Sequence, residues 1–294
     1  MQEVIVIDIG GTKTNISFVN ENEKSLIRVL SSETFKTLSN PEHTIQKIIS
    51  VCDMKGFKSD YLSLSLPGKW ENGILKESCF LKGWIDYPFI TQLQNELKIK
   101  DVIWESDVIC GALGEYNFGV ETCRGMSLLY INLGTGIGAA FIKDGKPLRA
   151  CHGKPLLRLQ KLVFSCDEEI YSGVDLISGG SLLENSHCES IEALFKNYKN
   201  ADVEAIDLIS RAQYQLAAWI INLFYLFAPD VIILNGGLTY DWEVLAGDAV
   251  DLTNEELKDQ VKIIPSRLKE MAPIYGAYVN AKPKLLPLTQ EYIS

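Results

Sequence analysis

Val4-Ile5-Val6-Ile7-Asp8-Ile9-Gly10-Gly11-Thr12-Lys13 opens the chain with a β-branched run broken by two glycines. Beyond it Ile16 and Phe18 alternate with polar neighbours as far as the turn Asn20-Glu21-Asn22, so the stretch reads as strand, glycine turn, strand. Adjacent glycines permit positive φ and leave backbone N–H groups exposed, which lets such a turn wrap a phosphate. Thr12 and Lys13 would add a hydroxyl and a counter-charge. Asp8, at the end of its strand, is placed to hold Mg²⁺ through water, because that ion keeps several waters and takes few protein carboxylates. An ordinary hairpin with a Gly-Gly turn is the plainer alternative.

Working outward, Ile45, Ile48, Ile49 and Cys52 fall at helical spacing within residues 42 to 55. Leu62, Leu64 and Leu66 alternate in a strand over Tyr61 to Leu66. A helix over 88 to 98 with Pro88 at its start, a strand Val102-Ile103-Trp104 and a helix from Asp107 to about Phe118 continue an α/β pattern. A second cycle then begins: an apolar strand Ser127 to Leu133 meets Gly134-Thr135-Gly136-Ile137-Gly138 and returns through Ala139 to Ile142. This replay of the opening motif predicts two related lobes facing one another across a cleft. A helix over 202 to 227 stops at Pro229, and Val231-Ile232-Ile233-Leu234 ends in Gly236-Gly237, a third turn at which backbone could lie against adenosine. Residues 144 to 200 read as loops with short helices.

At 294 residues, with 47% apolar and 22% charged side chains, the chain is long enough for two cores and shows no disordered composition. The formal charge of −10 argues against a nucleic-acid partner, since phosphate backbones are held by clustered Lys and Arg. Seven cysteines (Cys52, Cys79, Cys110, Cys123, Cys151, Cys166, Cys188) without a C-x-x-C pair suit reduced thiols. The longest apolar run, Leu216 to Phe227, is interrupted by Asn222 and too short to span a bilayer. With no secretory pattern at Met1, no membrane association and a cytoplasmic location are expected.

The ordered set D-I-G-G-T-K, L-P-G, x-x-D-x-x-x-x-A-L-G-E-Y, L-G-T-G-I-G and P-D-V-I-I-L-N-G-G resembles the ROK family of sugar kinases and related repressors, over residues 4 to about 280. The resemblance implies an α/β fold of two ribonuclease H-like lobes, of the actin and hexokinase type, with nucleotide and sugar in the cleft between them. Residues 1–116 would form the N-terminal lobe and 117–294 the C-terminal lobe, with packing of Lys282 to Ser294 back onto the first lobe left open. It also implies ATP and Mg²⁺ as cofactors, a small-molecule sugar as substrate, and a homodimer. Asp8, Gly10, Gly11, Thr12 and Lys13 match the first phosphate loop, Gly134, Thr135 and Gly136 the second, and Gly236 and Gly237 the adenosine turn. Asp107 matches the aspartate that deprotonates the sugar hydroxyl; an N-cap role for it is compatible. Pro67 and Gly68 match the loop over the sugar, and Ser106 stands where Asn is usual. Trp84 is read as packing rather than ligand.

The chain departs from the family between His152 and Cys166, where G-E-x-G-H and C-x-C-G-x-x-G-C are missing. With only Cys151, His152 and Cys166 nearby, no structural zinc is expected, because a closed site takes four ligands. Cys166-Asp167-Glu168-Glu169-Ile170-Tyr171-Ser172-Gly173 resembles C-x-E-x-Y-x-S-G, which makes Glu168 a sugar ligand, with Glu169 as the register alternative. A zinc-free member with a remodelled sugar loop resembles the N-acetylmannosamine kinases of sialic acid degradation. Phosphorylation of N-acetylmannosamine at the 6-hydroxyl is therefore favoured over a glucokinase or another hexose kinase. Repression is disfavoured, since only Met1-Gln2-Glu3 precede the first strand and the charge is negative. A non-catalytic sugar sensor would not need Asp8, Lys13 and Asp107 together.

Overall fold

A computed structural model of the chain describes residues 3–22, 27–119, 123, 125–149, 161–166 and 169–285. Its contacts divide into two units, one made by the chain up to Gly114 together with the chain from Met271 onward, the other by Glu115–Glu270.

The first unit starts with β1 (Val4–Ile9), β2 (Lys13–Glu21) and β3 (Ile27–Lys36), a continuous antiparallel meander. Next come α1 (Pro41–Lys55), β4 (Tyr61–Leu66), the small hairpin β5 (Lys69–Glu71) and β6 (Ile74–Glu77), α2 (Phe89–Leu97), β7 (Asp101–Ser106) and α3 (Asp107–Gly114). The sheet order is β3-β2-β1-β4-β7, with β1, β4 and β7 parallel. Asn40 caps α1 by accepting from the N–H groups of Glu42 and His43, and Gly56 ends it in the left-handed conformation. Ile45, Ile48 and Val51 of α1 pack against Ile5, Ile7 and Ile9. Trp84 is fully buried, stacks on Phe89 at 4.4 Å and donates its indole N–H to the Leu38 carbonyl, which makes it a packing residue as expected.

The opposite sheet face is covered by α3 and by α9 (Ala272–Leu285), which buries Ile274, Ala277, Tyr278 and Ala281. A lobe boundary after residue 116 falls close to the observed one, but the chain after Glu270 belongs with the first unit rather than the second. The physical reason is that β1 and β4 are buried on both faces and need a second layer. The helix expected from Asp107 to about Phe118 is regular only to Gly114 and continues as a π-turn over Glu115–Gly119.

In the second unit β8 (Leu128–Leu133), β9 (Ile137–Lys143) and β10 (Lys146–Pro147) form the antiparallel part, and β13 (Val231–Asn235) and β14 (Lys262–Pro265) the parallel part. Its order, β10-β9-β8-β13-β14, repeats that of the first sheet. Between the two parts lie the strand pair β11 (Val163–Cys166) and β12 (Glu169–Ser172), then α4 (Gly173–Ile177), α5 (Gly179–Glu184), α6 (Ile191–Lys199) and α7 (Val203–Phe227). The helix α8 (Ala246–Leu257) precedes β14. Asp202 caps α7, and Ala228, left-handed ahead of Pro229, stops it. Leu216, Trp219, Ile220 and Leu223 of α7 bury against Leu129, Ile131 and Leu234. The stretch 144 to 200, read as loops with short helices, carries the short helices α4, α5 and α6 and, in addition, the strands β10, β11 and β12.

Helices α3 and α9 approach backbone to backbone. A Cβ on Gly276 would lie 1.6 Å from the Cys110 carbonyl oxygen. Gly276→Ala is therefore expected to cost about 3 kcal/mol of stability in urea unfolding, the upper range for overpacking a rigid contact.

Candidate functional site

Parallel pairing brings three strand ends together in the first unit. Asp8 of β1 lies opposite Ser65 of β4, and Ser65 and Leu66 lie opposite Glu105 and Ser106 of β7. The chain beyond those ends supplies Gly10 to Lys13, Pro67 and Gly68, and Asp107. All the first-unit residues singled out in the sequence thus gather at the carboxyl edge of one sheet, where α/β sheets commonly bind ligands. Gly68 is left-handed at φ 86°, and the Pro67 carbonyl accepts the Trp70 indole N–H at 2.8 Å, so this loop is fixed by the β5-β6 hairpin.

Asp8 and Asp107 are both half-buried. Oδ1 of Asp8 accepts the Ser65 hydroxyl at 2.5 Å. Burial pushes the Asp8 carboxyl up to about 7; the Ser65 hydrogen bond opposes the rise and the Asp107 charge adds to it. Asp107 is the first residue of α3, and its Oδ1 accepts the Val108 N–H at 2.8 Å and the Ser106 hydroxyl at 3.3 Å. Burial raises it to about 6 against those donors. Behind them Cys110 is fully buried, its thiol held far above the usual value by burial and by the charges of Glu105, Asp8 and Asp107.

The Gly10–Lys13 turn is closed by the Gly10 N–H donating to the Lys13 carbonyl at 2.8 Å. Neither Gly10 nor Gly11 adopts positive φ, contrary to the expectation for this turn. Glycine is needed at position 11 for space, since a Cβ there would lie 2.6 Å from that of Phe80. The Thr37 hydroxyl donates to the Gly10 carbonyl at 2.8 Å and pairs with that of Thr14 at 2.9 Å, and the Thr37 N–H donates to the Thr12 carbonyl. With these carbonyls engaged, Gly11, Thr12 and Lys13 are left exposed.

The second unit repeats the arrangement: Asn235 of β13 lies opposite Asn132 of β8, which places Gly134 to Gly136 beside Gly236 and Gly237. The carbonyls of Gly134 and Thr135 accept from Gly179 and Gly180 at the start of α5, at 2.8 and 3.1 Å. Gly236 has φ 99°, and a Cβ on it would lie 2.2 Å from the Leu133 carbonyl oxygen, so packing alone requires glycine there. Gly237 faces open space.

Glu168, Cys151 and His152 lie outside the described residues, as does the chain beyond residue 285. Among the described residues no group of three or more His, Cys, Asp or Glu side chains is placed to hold a metal, and no helix is long and apolar enough to cross a membrane. For Mg²⁺ the fit is of another kind: Oδ2 of Asp8 makes no protein hydrogen bond among the described residues and belongs to a half-buried carboxyl, which suits an ion that takes few protein ligands. Ser65, Thr37, Phe80 and Cys110 were not singled out in the sequence. Ser65 could have been found only from the two-sided burial of β4, because its alternation with leucines looks like a solvated face.

A family model described as the ROK family matches residues 4–155 and 163–284. The chain belongs to the ROK family. A Bacillus subtilis relative described as a candidate fructokinase is 28% identical over 295 residues, covering 94% of this chain and 94% of its own. A Listeria monocytogenes structure described as a candidate N-acetylmannosamine kinase superposes with a TM-score of 0.79 at 18% identity, over 97% of this chain and 100% of that one. The ROK family glucokinase of Streptomyces griseus, solved with glucose and AMPPNP, gives 0.73 at 19% identity, over 94% and 97%. The strand order in each unit and these likenesses give the ribonuclease H-like, hexokinase-type ROK fold that the motifs implied.

A carboxyl raised to about 6 in the fold from an ordinary value near 4 is a stability cost that is present at high pH and relieved on acidification. The ligand-free Asp107→Asn variant should therefore melt at a higher temperature than the parent at pH 8. The difference should shrink as pH falls through about 6 and be gone near 4, read by calorimetry across that series.

Proposed function

We propose that this chain is an ATP-dependent sugar kinase in which Asp107 is the general base. The observation that carries the reading is the pair of half-buried carboxyls, Asp8 and Asp107, at the ends of β1 and β7 on either side of β4, beside an exposed Gly-Thr-Lys turn. One carboxylate to accept a proton and one to hold a hydrated cation, next to backbone N–H groups, are the parts phosphoryl transfer needs. Gly10, Gly11, Thr12 and Lys13 are assigned to the nucleotide phosphates, together with Gly134, Thr135 and Gly136 of the second unit. Gly236 shapes the adenosine turn and Gly237 offers it an open backbone.

In the reaction Asp107 takes the proton of the sugar hydroxyl as that oxygen bonds to the γ-phosphorus, and the bond from phosphorus to the departing ADP oxygen breaks. The Val108 N–H and the Ser106 hydroxyl hold Asp107 on its Oδ1 while the proton moves. Asp8 would hold Mg²⁺ through water, and the ion supplies charge neutralisation at the phosphates when bound. Pro67, Gly68, Ser106 and Glu168 are assigned to the sugar. The substrate favoured is N-acetylmannosamine, converted to its 6-phosphate. The altered stretch between His152 and Cys166 and the description of the Listeria monocytogenes structure support it. A glucose or fructose kinase is the alternative, supported by the names of the other relatives. A homodimer, zinc independence and a cytoplasmic place in sialic acid degradation belong to the same reading.

A coupled ADP-release assay with Mg·ATP tests it on N-acetylmannosamine, N-acetylglucosamine, glucose, mannose and fructose. Turnover on N-acetylmannosamine is expected to be strongest and to survive zinc chelation. Preference for another hexose would replace the substrate and keep the kinase, while ADP release with no sugar would remove both. Asp107→Asn should retain ATP binding and lose roughly 10²-fold or more in kcat. In the parent, kcat/KM should fall as pH drops below about 6, where the base is protonated. A flat profile through that range would count against Asp107 as the base.

A further inference from the structure

Ser65 is fully buried in the middle strand of the three that carry the site. Its backbone lies in the ladders to β1 and β7, so the side chain is not needed to satisfy the main chain. The flanking Leu64 and Leu66 are fully buried, which pins the strand in place. A serine hydroxyl has one proton to give, and here it goes to Oδ1 of Asp8 at 2.5 Å. The terminal torsion of an aspartate is soft, and either oxygen can face a ligand unless one is tied.

We infer that Ser65 is a positioning residue whose hydroxyl ties Oδ1 of Asp8 and so fixes Oδ2 as the oxygen presented to the hydrated Mg²⁺ of the nucleotide. The inference rests on the Asp8 assignment above. Groups that orient a metal-holding side chain cost about tenfold or more in metal affinity when removed, with no contact to the ion themselves. Alanine would leave Oδ1 without its donor and the carboxylate free to turn. Threonine keeps the hydroxyl, and cysteine keeps the size with a weak donor.

Mn²⁺ as a paramagnetic stand-in for Mg²⁺, titrated against the full chain with saturating ADP and read by electron paramagnetic resonance, tests this without turnover. Ser65→Ala should weaken Mn²⁺ binding about tenfold or more. Ser65→Thr should recover most of that loss, and Ser65→Cys should resemble alanine. The half-saturating Mg²⁺ in turnover should rise in parallel, with the KM for sugar unmoved. In an Asp8→Asn background, adding Ser65→Ala should change Mn²⁺ binding no further. Parent-like binding by folded Ser65→Ala or Ser65→Cys would overturn the inference alone, provided Asp8→Asn loses the ion. A second, equal loss in the Asp8→Asn background would also overturn it. A parent chain that binds no Mn²⁺ with ADP, or an Asp8→Asn variant that binds it normally, would overturn the Asp8 assignment and this inference together.

Discussion

Two carboxyls of like charge, half-withdrawn from water at the ends of β1 and β7 with β4 between them, set the terms for the first unit. Each costs stability when ionised, and the charge on Asp107 adds to the cost at Asp8. The arrangement persists because β1 and β4 are buried on both faces and β7 is held in the ladder to β4. The compensation is local: the Ser65 hydroxyl on Asp8, and on Asp107 the Val108 N–H, the Ser106 hydroxyl and a place in the first turn of α3. A chain that needed only a stable sheet would put neutral residues at these positions.

The second unit shows that alternative. Its sheet repeats the same strand order, and the residue two before the first glycine of its turn is Asn132 where the first unit has Asp8. The partner across the parallel ladder is Asn235 where the first unit has Ser65. Asn235 is buried and donates to the Tyr130 hydroxyl at 2.5 Å. One copy of the motif thus keeps charge at its strand ends and the other replaces it with amides. The turn of the second copy is tied instead by Gly179 and Gly180 to a helix that has no counterpart in the first. Duplication supplied the frame, and side-chain substitution divided the chemistry.

Much of this was legible in the sequence because the decisive elements are local. The β-branched run before Gly10-Gly11, its echo before Gly134, and the Asp107 junction each announce themselves within ten residues, and the structure brings Asp8, Gly68 and Asp107 to one edge. What was hidden depends on distant partners. Ser63 and Ser65 alternate with leucines as if they faced water, yet both are fully buried, Ser63 donating to the Ala277 carbonyl and Ser65 to Asp8. Nothing near Gly11 reveals Phe80, and nothing near Cys110 reveals Gly276. The affiliation of α9 was illegible for the same reason, since its small residues and internal Pro283 give a weak helical stripe whose partners in α3 and the sheet lie far upstream in the chain.

The place of α9 bears on the order in which the molecule can be made. The second unit is one uninterrupted stretch, Glu115–Glu270, whose sheet and helices need nothing from outside it for their own pairing. The first unit is discontinuous: its sheet, Asp8 and Asp107 emerge early from the ribosome but wait for the last helix to cover their exposed face. Since domains fold as units during synthesis, the later-encoded unit can complete first and the earlier-encoded one only once α9 has emerged. A message cut short after Glu270 would encode Asp8, Asp107 and both glycine turns and still leave the carboxyl pair on an unfinished sheet.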